Sequence, residues 1–337
     1  NVRMNADLLY NRRLWRNPGR EHSGLELIRG LHNLRERHHG SVVTIGAFDG
    51  VHRGHQAVIS DLLGRSREFG LPSTVILFEP LPREYFAPVR SPPRLMSFRE
   101  KFMVLRHLGV DRVLRIRFDR RFSIMSAHEF IESVFVKGLG ARYIVVGEDL
   151  RFGHDREGNI DLAREAGEKY GYEVKATSTV EVHGERVSST RLRAVLGAGD
   201  FEAAERMLGR PYFMTGKVVY GRQLGTTIGV PTANLALHRH RAPLAGVYVA
   251  EVRIGGRLLP AVANVGTRPT VDDGIKANLE VHILDFAQNI YGRTIDVIFR
   301  RQIRDEHKFA SVDELRNRIA DDIAVARAWF AARPQTH

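Results

Sequence analysis

The chain has 337 residues, 43% of them hydrophobic, a net charge of +12 and no cysteine. This length favours two domains, and no apolar run approaches a membrane-spanning helix, so we expect no membrane partner. The missing cysteines exclude disulfides and thiol chemistry and fit a cytoplasmic protein.

The positive charge makes nucleic acid a candidate partner. Only seven of the 51 basic residues are lysine, however, and the arginines are scattered through every segment instead of forming one patch. A DNA- or RNA-binding protein is therefore the minority interpretation, and phosphate-bearing small molecules are the favoured partners.

Residues 1–25 contain five arginines and no long apolar core. This pattern is unlike a signal peptide, and we predict a disordered N-terminal extension. Ordered structure is expected to begin near Leu27.

The stretch Val42–His55, VVTIGAFDGVHRGH, combines a short apolar strand, a glycine-rich turn and the start of a helical pattern that continues to Phe69. Backbone N–H groups at such a helix start attract phosphate. His52 and His55, three residues apart, fall on one side of that helix. A His-x-x-His pair also fits zinc, but there is no cysteine and no obvious third ligand nearby.

Strand and helix patterns alternate from here to about residue 208. Two helices are predicted to begin with capping boxes, Ser97-x-x-Glu100 and Ser126-x-x-Glu129. The pattern predicts a Rossmann-like domain with a mostly parallel sheet, whose ligands bind beyond the carboxyl ends of the strands. The strand candidates are Val42–Gly46, Thr74–Phe78, Val113–Phe118 and Tyr143–Gly147.

Three further motifs follow these strands. FEPLPREYF (78–86) alone reads as a proline-rich loop, and GEDLRFGHDREGN (147–159) is only suggestive of a nucleotide loop. In VSSTRLR (187–193), Ser188 and Ser189 can simply cap a helix, and Arg193 can add a phosphate contact.

Together with GAFDGVHRGH, these motifs resemble, in order, the bacterial bifunctional riboflavin kinase/FMN adenylyltransferases. The resemblance implies that His52 and His55 act on the ATP phosphates and are catalytic. It also implies a nucleotide and phosphate site and, separately, flavin contacts. The implied nucleotide and phosphate site comprises Gly46, Phe48, Asp49, Gly50, His52, His55, Asp149, Ser189, Thr190 and Arg193. The implied flavin contacts in this half are Glu79, Pro80 and Asp149. Leu150 and Ala47 depart from the usual phenylalanine and asparagine of the family.

After Leu208 the pattern changes from helices to short strands joined by glycine-, proline- and aspartate-containing turns. These strands, with a last helix opened by Ser311-x-x-Glu314, predict a small antiparallel barrel closed by a helix. The predicted domains are therefore residues 26–208 and 209–337. The strand candidates are Phe213–Val219, Val247–Ile254, Leu259–Val265, Leu279–Asp285 and Ile295–Arg300.

Two motifs stand out in this half. GRQLGTTIGVPTANL (221–235) alone would be a flexible glycine-bearing loop. In LEVHIL (279–284), period-two alternation puts Glu280 opposite the face of Leu279, Val281 and Ile283, where a solvated edge residue is the ordinary interpretation.

Both motifs resemble the kinase half of the same family, as do NVGTRPTV (264–271) and RDEHKF (304–309). The resemblance implies that Glu280 is the catalytic base and that Thr232 and Asn234 hold Mg²⁺. Val230 departs from a frequent phenylalanine. The implied ATP contacts are Gly216, Gly221, Gly225, Thr232 and Asn234, and the implied flavin contacts are Arg304, Glu306 and Phe309.

The resemblance covers residues 26–330 and implies a cytoplasmic bifunctional enzyme. One half would phosphorylate riboflavin to FMN and the other would adenylylate FMN to FAD, with Mg²⁺ and ATP. A single-activity FMN adenylyltransferase, a nucleic-acid-binding protein on the same scaffold, and a homo-oligomeric state are left open.

Overall fold

The computed structural model describes residues 24–182, 184–221, 229–237, 239–269, 275–307 and 309–333. Contacts between residues divide the chain into two compact units. The sheet unit comprises residues 24–92 and Lys101–Ser188, and the barrel unit comprises Pro93–Glu100 and the residues from Ser189 onward. Of the predicted extension, residues 1–23 lie outside the described residues.

The sheet unit alternates strands with helices, as predicted. Its strands are β1 Glu26–Arg29, β2 Ser41–Ile45, β3 Ser73–Glu79, β4 Arg112–Arg117, β5 Ala141–Gly147, β6 Glu173–Thr177, β7 Glu181–Val182 and β8 Glu185–Arg186. Its helices are α1 Arg53–Phe69, α2 Pro82–Phe86, α3 Phe98–Leu108, whose residues up to Glu100 group with the barrel unit, α4 Arg120–Ser123, α5 Ala127–Phe130 and α6 Ile160–Tyr170. A π-helical turn, Ile131–Val136, and 3₁₀ turns at Leu31–Asn33, Glu36–His38 and His154–Arg156 complete it.

The six-stranded sheet has the order β1-β4-β3-β2-β5-β6, and every pair of neighbours is parallel. This confirms the predicted parallel sheet. From β2 the chain moves in one direction to β3 and β4, and β5 and β6 then lie on the other side of β2. The switch point between β2 and β5 is where such sheets bind ligands.

The barrel unit contains a closed barrel with the strand order β10-β13-β12-β11-β14-β9, antiparallel throughout. The predicted antiparallel barrel is therefore confirmed. Its strands are β9 Phe213–Val219, β10 Ala233–Ala236, β11 Gly246–Ile254, β12 Arg257–Pro269, β13 Ile275–Ile283 and β14 Thr294–Arg304. Its helices are α7 Ser189–Gly197, α8 Phe201–Leu208 and α9 Val312–Ala331.

The barrel interior is filled by alternating apolar residues, such as Leu279 and Val281 of β13, which are 0% and 1% exposed. Helix α9, capped by Ser311, packs on the strands β11 and β12. In the described part of the chain, no helix is both long enough and apolar enough to cross a membrane.

The compact units do not follow the predicted boundary at residue 208. Helices α7 and α8 group with the barrel, because Phe201 of α8 contacts the rings of Tyr248 and Phe299 at centroid distances of 5.7 and 6.4 Å. Tyr212 donates a hydrogen bond from its hydroxyl to the Leu95 carbonyl at 2.9 Å, which ties Pro93–Glu100 to the same unit.

A buried ion pair holds this segment to the barrel. Nη2 of Arg239 lies 2.5–2.6 Å from both carboxylate oxygens of Glu100, and both side chains are fully buried. Glu100 also accepts the backbone N–H groups of Ser97 and Thr215, each at 2.6 Å. Burial alone lowers the pKa of Arg239, but the Glu100 charge and contacts with Tyr212 raise it overall, so the guanidinium stays charged.

Replacing Glu100 by glutamine should lower the free energy of unfolding of the barrel unit by about 3 kcal/mol, since Arg239 would keep its buried charge without a counter-ion. Urea unfolding, monitored by a spectroscopic signal from the barrel unit, measures this change in the free energy of unfolding. Glu68→Gln, which breaks an exposed pair with Arg65, should change it by less than about 0.5 kcal/mol. Equal effects of the two changes would contradict a structural role for the buried pair.

Candidate active sites

The first candidate site is the turn between β2 and α1. Phe48 and Val51 adopt positive φ angles of 45° and 41°, and Gly50 adopts 92°. Left-handed backbone at two non-glycine residues is uncommon and costs free energy, so it is kept where the surrounding structure enforces it. Phe48 and Asp49 are 2% and 3% exposed, which shows that this turn is packed into the fold.

The two predicted histidines lie together at the start of α1. His52 is the N-cap residue, and its Nδ1 accepts the backbone N–H of His55 at 3.4 Å. The two imidazole rings stack with centroids 3.7 Å apart. At Gly54, an added Cβ would lie 3.2 Å from the His52 ring, so glycine gives that ring its space. The predicted pairing of the histidines is therefore confirmed.

A buried lysine supports this turn. Lys101 of α3 is 0% exposed, and its Nζ donates to the carbonyl of Ala47 at 3.2 Å. A buried amine needs hydrogen-bond partners, and this contact holds the Ala47 carbonyl of the turn. The sequence did not reveal Lys101, because 54 residues separate the two partners.

The turn after β5 holds Asp149, which forms an ion pair with Arg186 of β8. Beside it, a polar groove of about 380 Å³ is lined by residues that include Glu148, Arg151 and Arg164. Since β5 neighbours β2 at the switch point, Asp149 and the histidines follow adjacent carboxyl ends of the sheet. Leu150 is 9% exposed and belongs to the hydrophobic core.

The VSSTRLR motif approaches the same helix start through Val187. The Val187 carbonyl would lie 3.5 Å from a Cβ placed at Gly54. Ser189, Thr190 and Arg193 open α7, which belongs to the barrel unit, where Arg193 Nε donates to the Pro93 carbonyl at 2.6 Å. Their participation in the first site stays a prediction.

An aromatic surface lies beyond the carboxyl ends of β3 and β4, next to Glu79 and Pro80. We call it the aromatic patch. Its rings are those of Phe78, Tyr85, Phe86, Phe118 and Phe122, with centroids of neighbours 5.3–5.9 Å apart. Phe86 is 67% exposed although it is a large apolar side chain. An exposed aromatic patch of this kind is typical of a surface that binds a planar ligand.

The second candidate site lies on the outer face of the barrel. Asn234 of β10 and Glu280 of β13 are direct cross-strand partners, so their side chains lie on one face. Leu279 and Val281 point into the barrel, which confirms the alternation predicted for LEVHIL. Asn234 and Glu280 are far apart in the sequence, and the pairing of β10 with β13 in the barrel brings them together.

Two neighbours of Glu280 on β13 fix this face. Asn278 donates its Nδ2 hydrogen to Oε1 of Glu280 at 2.9 Å, which orients the carboxylate. Nδ1 of His282 lies 2.9 Å from the carbonyl of Pro231 and holds the turn that precedes Thr232. Hydrogen bonds therefore orient Glu280 and connect β13 to the turn before Thr232.

A cavity of about 140 Å³ opens beside Thr232. Its other lining is mostly apolar and aromatic, including Val218, Ile290 and Tyr291. Tyr220 stacks on Tyr291 with ring centroids 4.1 Å apart. Val281 and Ile283, which face the barrel interior, also line this cavity, and Thr232 is the predicted site residue in its wall.

The predicted glycines of this half have separate roles. At Gly221, a Cβ would collide with the Asn234 side chain, so glycine lets the two segments meet. At Gly216, a Cβ would lie 2.8 Å from that of Leu235, which gives this glycine a packing role within β9. Gly225 lies outside the described residues.

The predicted flavin contacts Arg304, Glu306 and Phe309 lie at the end of β14. The guanidinium of Arg304 forms an ion pair with Asp322 of α9 at 2.8 Å and lies 5.4 Å from the Phe309 ring centroid. Glu306 approaches β12 closely, because its carboxylate occupies the space of a Cβ at Gly266. The ion pair of Arg304 with Asp322 therefore connects the end of β14 to α9.

The FAD synthetase family model matches residues 34–191, and the riboflavin kinase family model matches residues 208–330. The bifunctional riboflavin kinase/FMN adenylyltransferase of Pseudomonas fluorescens is 49% identical over 313 residues, which cover 93% of this chain and 100% of that protein. The protein of the same name from Escherichia coli (strain K12) is 48% identical over 308 residues, covering 91% and 98%. A solved structure titled macrolide-efflux protein, from Streptococcus pneumoniae, is 34% identical with a TM-score of 0.72, covering 90% of this chain and 99% of that one.

Proposed function

Because the chain belongs to the family of bifunctional riboflavin kinase/FMN adenylyltransferases, we propose how its residues divide the two reactions. The C-terminal half phosphorylates riboflavin to FMN, and the N-terminal half adenylylates FMN to FAD, each with ATP. The single-activity alternative is set aside because both family models match. The proposed catalytic domains are residues 26–208 and 209–337.

In the kinase half, Glu280 is the general base that accepts the proton of the ribityl 5′-hydroxyl. The oxygen then attacks the γ-phosphorus of ATP, and ADP leaves. The observation that carries this role is the cross-strand pairing of Glu280 with Asn234, which puts the two side chains on one face of the barrel. The hydrogen bond from Asn278 orients this carboxylate, as positioning of a general base requires.

The residues beside this carboxylate suit Mg²⁺. Thr232 and Asn234 offer side-chain oxygens, the donors that a hard cation prefers, and Gly221 leaves the Asn234 carboxamide its space. Among the described residues no cluster of three or more His, Cys, Asp or Glu forms a metal cage, so the ion would share its ligands with ATP phosphates. When bound, Mg²⁺ neutralises charge on those phosphates.

The apolar cavity beside Thr232 is the proposed position of the adenine ring in the kinase site. Tyr291 and Ile290 offer a flat, apolar surface to a purine, and Thr232 leads from the cavity to Asn234. In this proposal the base and the phosphates of one ATP bind on either side of Thr232.

In the adenylyltransferase half, His52 and His55 bind the triphosphate of ATP. The N–H groups at the start of α1 and the two imidazoles meet the negative charge that grows as the FMN phosphate attacks the α-phosphorus and pyrophosphate leaves. The left-handed turn around Gly50 lets the backbone approach the phosphates closely. Ser189, Thr190 and Arg193 stay predicted ATP contacts on the strength of the family resemblance alone.

The aromatic patch is the proposed surface for the isoalloxazine ring of FMN. It adjoins Glu79 and Pro80, whose backbone contacts the patch through a hydrogen bond from the Phe118 N–H to the Glu79 carbonyl at 3.2 Å. A flat aromatic ligand gains both burial and ring contacts there.

Replacing Phe86 by alanine should raise the KM for FMN in FAD synthesis about tenfold, because the most exposed ring of the patch is lost. Steady-state assays with FMN and ATP measure this, and riboflavin phosphorylation should not change. Tyr170→Ala, which removes an aromatic side chain 37% exposed on α6, is the matched control. An unchanged KM in Phe86→Ala would place the flavin ring elsewhere.

The proposed metal dependence is tested by chelation. Protein treated with EDTA should form no FMN from riboflavin and ATP, and added Mg²⁺ should restore the reaction in wild type. In Asn234→Ala the Mg²⁺ concentration needed for half-maximal rate should rise. A rate of riboflavin phosphorylation that EDTA does not change would show that this reaction needs no metal ion.

The proposed partners are small molecules only: riboflavin, FMN, FAD and ATP, in the cytoplasm and without nucleic acid. The scattered arginines and the zero cysteine count support this. Weak, salt-sensitive DNA or RNA retention beside saturable FMN and ATP binding is the expected result; tight, specific nucleic-acid binding would contradict it.

A further inference from the structure

Asn264 of β12 lies in direct register with Glu280 of β13. Its chain neighbours Ala263 and Val265 are buried inside the barrel at 0% and 1% exposure. Alternation along the strand therefore places the Asn264 side chain on the outer face, beside Glu280.

Three side chains form a row across three adjacent strands. Asn234 pairs with Glu280 on one side, and Asn264 pairs with it on the other. Neighbouring strands are about 4.8 Å apart, so groups on either side of the carboxylate can both reach a substrate bound over it.

The carboxamide oxygen of Asn264 has an unusual environment. Oδ1 is buried, and within the described ranges it has no hydrogen-bond partner. An unsatisfied buried acceptor costs about 1–3 kcal/mol, so a strand residue with a purely structural role would be expected to have a donor. By contrast, Asn278 on the same face satisfies its Nδ2 with Glu280.

The missing partner must be a hydrogen-bond donor or a cation, and the proposed Mg²⁺ position is at Thr232 and Asn234, on the other side of Glu280. The phosphates of ATP and the carboxylate of Glu280 are acceptors, whereas the ribityl chain of riboflavin carries several hydroxyl donors. Mg²⁺ and the phosphates are proposed to bind on the Asn234 side of Glu280. The ribityl chain would then bind on the other side, at Asn264.

We propose that Asn264 Oδ1 accepts a hydrogen bond from the ribityl 4′-hydroxyl, next to the reacting 5′-hydroxyl, and so aligns the substrate on Glu280. This inference rests on the proposed role of Glu280. Asn264 thereby selects an acceptor substrate with a hydroxyl beside the phosphorylated carbon. No bond of Asn264 is made or broken in the reaction.

The test compares riboflavin with 4′-deoxyriboflavin in wild type and Asn264→Ala. Wild type should phosphorylate the analogue roughly ten- to hundredfold less efficiently, measured as kcat/KM. In Asn264→Ala, kcat/KM for riboflavin should fall to the kcat/KM of the analogue, so that the ratio of the two approaches one. The KM for ATP, the Mg²⁺ requirement and FAD synthesis from FMN should stay within about twofold of wild type. Asn317→Ala, at an exposed position on α9, is the matched control and should keep the wild-type ratio.

Three results would overturn the proposal: a wild type that does not discriminate against the 4′-deoxy analogue, an Asn264→Ala ratio equal to that of wild type, or a change confined to ATP or Mg²⁺. Should Asn264→Ala fail to fold, the wild-type comparison still decides, with 2′-deoxyriboflavin expected to be discriminated against less than the 4′-deoxy compound. Glu280→Gln assayed in parallel separates the two ideas. If Glu280→Gln is inactive and Asn264→Ala keeps the wild-type ratio of kcat/KM for the two substrates, only the role of Asn264 is overturned. If Glu280→Gln is fully active, Glu280 is not the base.

Discussion

Replacing Glu280 by glutamine should slow riboflavin phosphorylation roughly 10²–10⁴-fold, because glutamine keeps the shape of the side chain but cannot accept the proton. FAD synthesis from supplied FMN should stay near the wild-type rate, since the family model for that reaction matches the other half of the chain. Steady-state assays of the two reactions, each with its own substrate, measure the two effects separately.

Glu202→Gln, at an exposed position of α8, makes the same chemical change away from the proposed site and should leave both rates unaltered. A Glu280→Gln enzyme within a few-fold of wild type in riboflavin phosphorylation would show that Glu280 is only a strand residue. Loss of both activities would show that the change damages the fold.

Replacing His52 by alanine should reduce FAD synthesis from FMN by at least roughly 10²–10³-fold, the scale of losing one group that stabilises transition-state charge. Riboflavin phosphorylation should be unchanged. The stacked rings of His52 and His55 at the start of α1 provide the physical reason, because charge builds on the phosphates there.

His52 also caps α1, so a second variant separates the two roles. Asn is a good N-cap residue, and His52→Asn should keep the stability of the helix while remaining inactive in FAD synthesis. His128→Ala, at an exposed position on α5, is the control for loss of an imidazole. Normal FAD synthesis in His52→Asn would leave His52 with a capping role only.

Much of the fold was predictable from local patterns. The central strands β2, β3 and β5 are apolar runs, and both capping boxes are present as predicted. Strands β1 and β6 were not predicted, because these edge strands are only partly buried and carry charged residues such as Glu26 and Lys175. Strand β10 was missed because its four residues were assigned to a loop motif.

The sites were predictable only where the residues are close in sequence. His52 and His55 are three apart, and the period-two alternation of LEVHIL oriented Glu280. Lys101 and Asn264 were missed, since their importance depends on contacts across strands and helices. Glu100 was predicted as a capping residue, and nothing in its local sequence indicates that the same carboxylate also binds Arg239.

One measurement tests the division of labour most directly: chromatographic separation of riboflavin, FMN and FAD after incubation with riboflavin, ATP and Mg²⁺. Wild type should convert riboflavin to FAD, His52→Ala should stop at FMN, and Glu280→Gln should leave riboflavin unconverted yet turn supplied FMN into FAD. If either substitution abolished both steps in a folded protein, or if His52→Ala still accumulated FAD, the assignment of the two reactions to these residues would be contradicted.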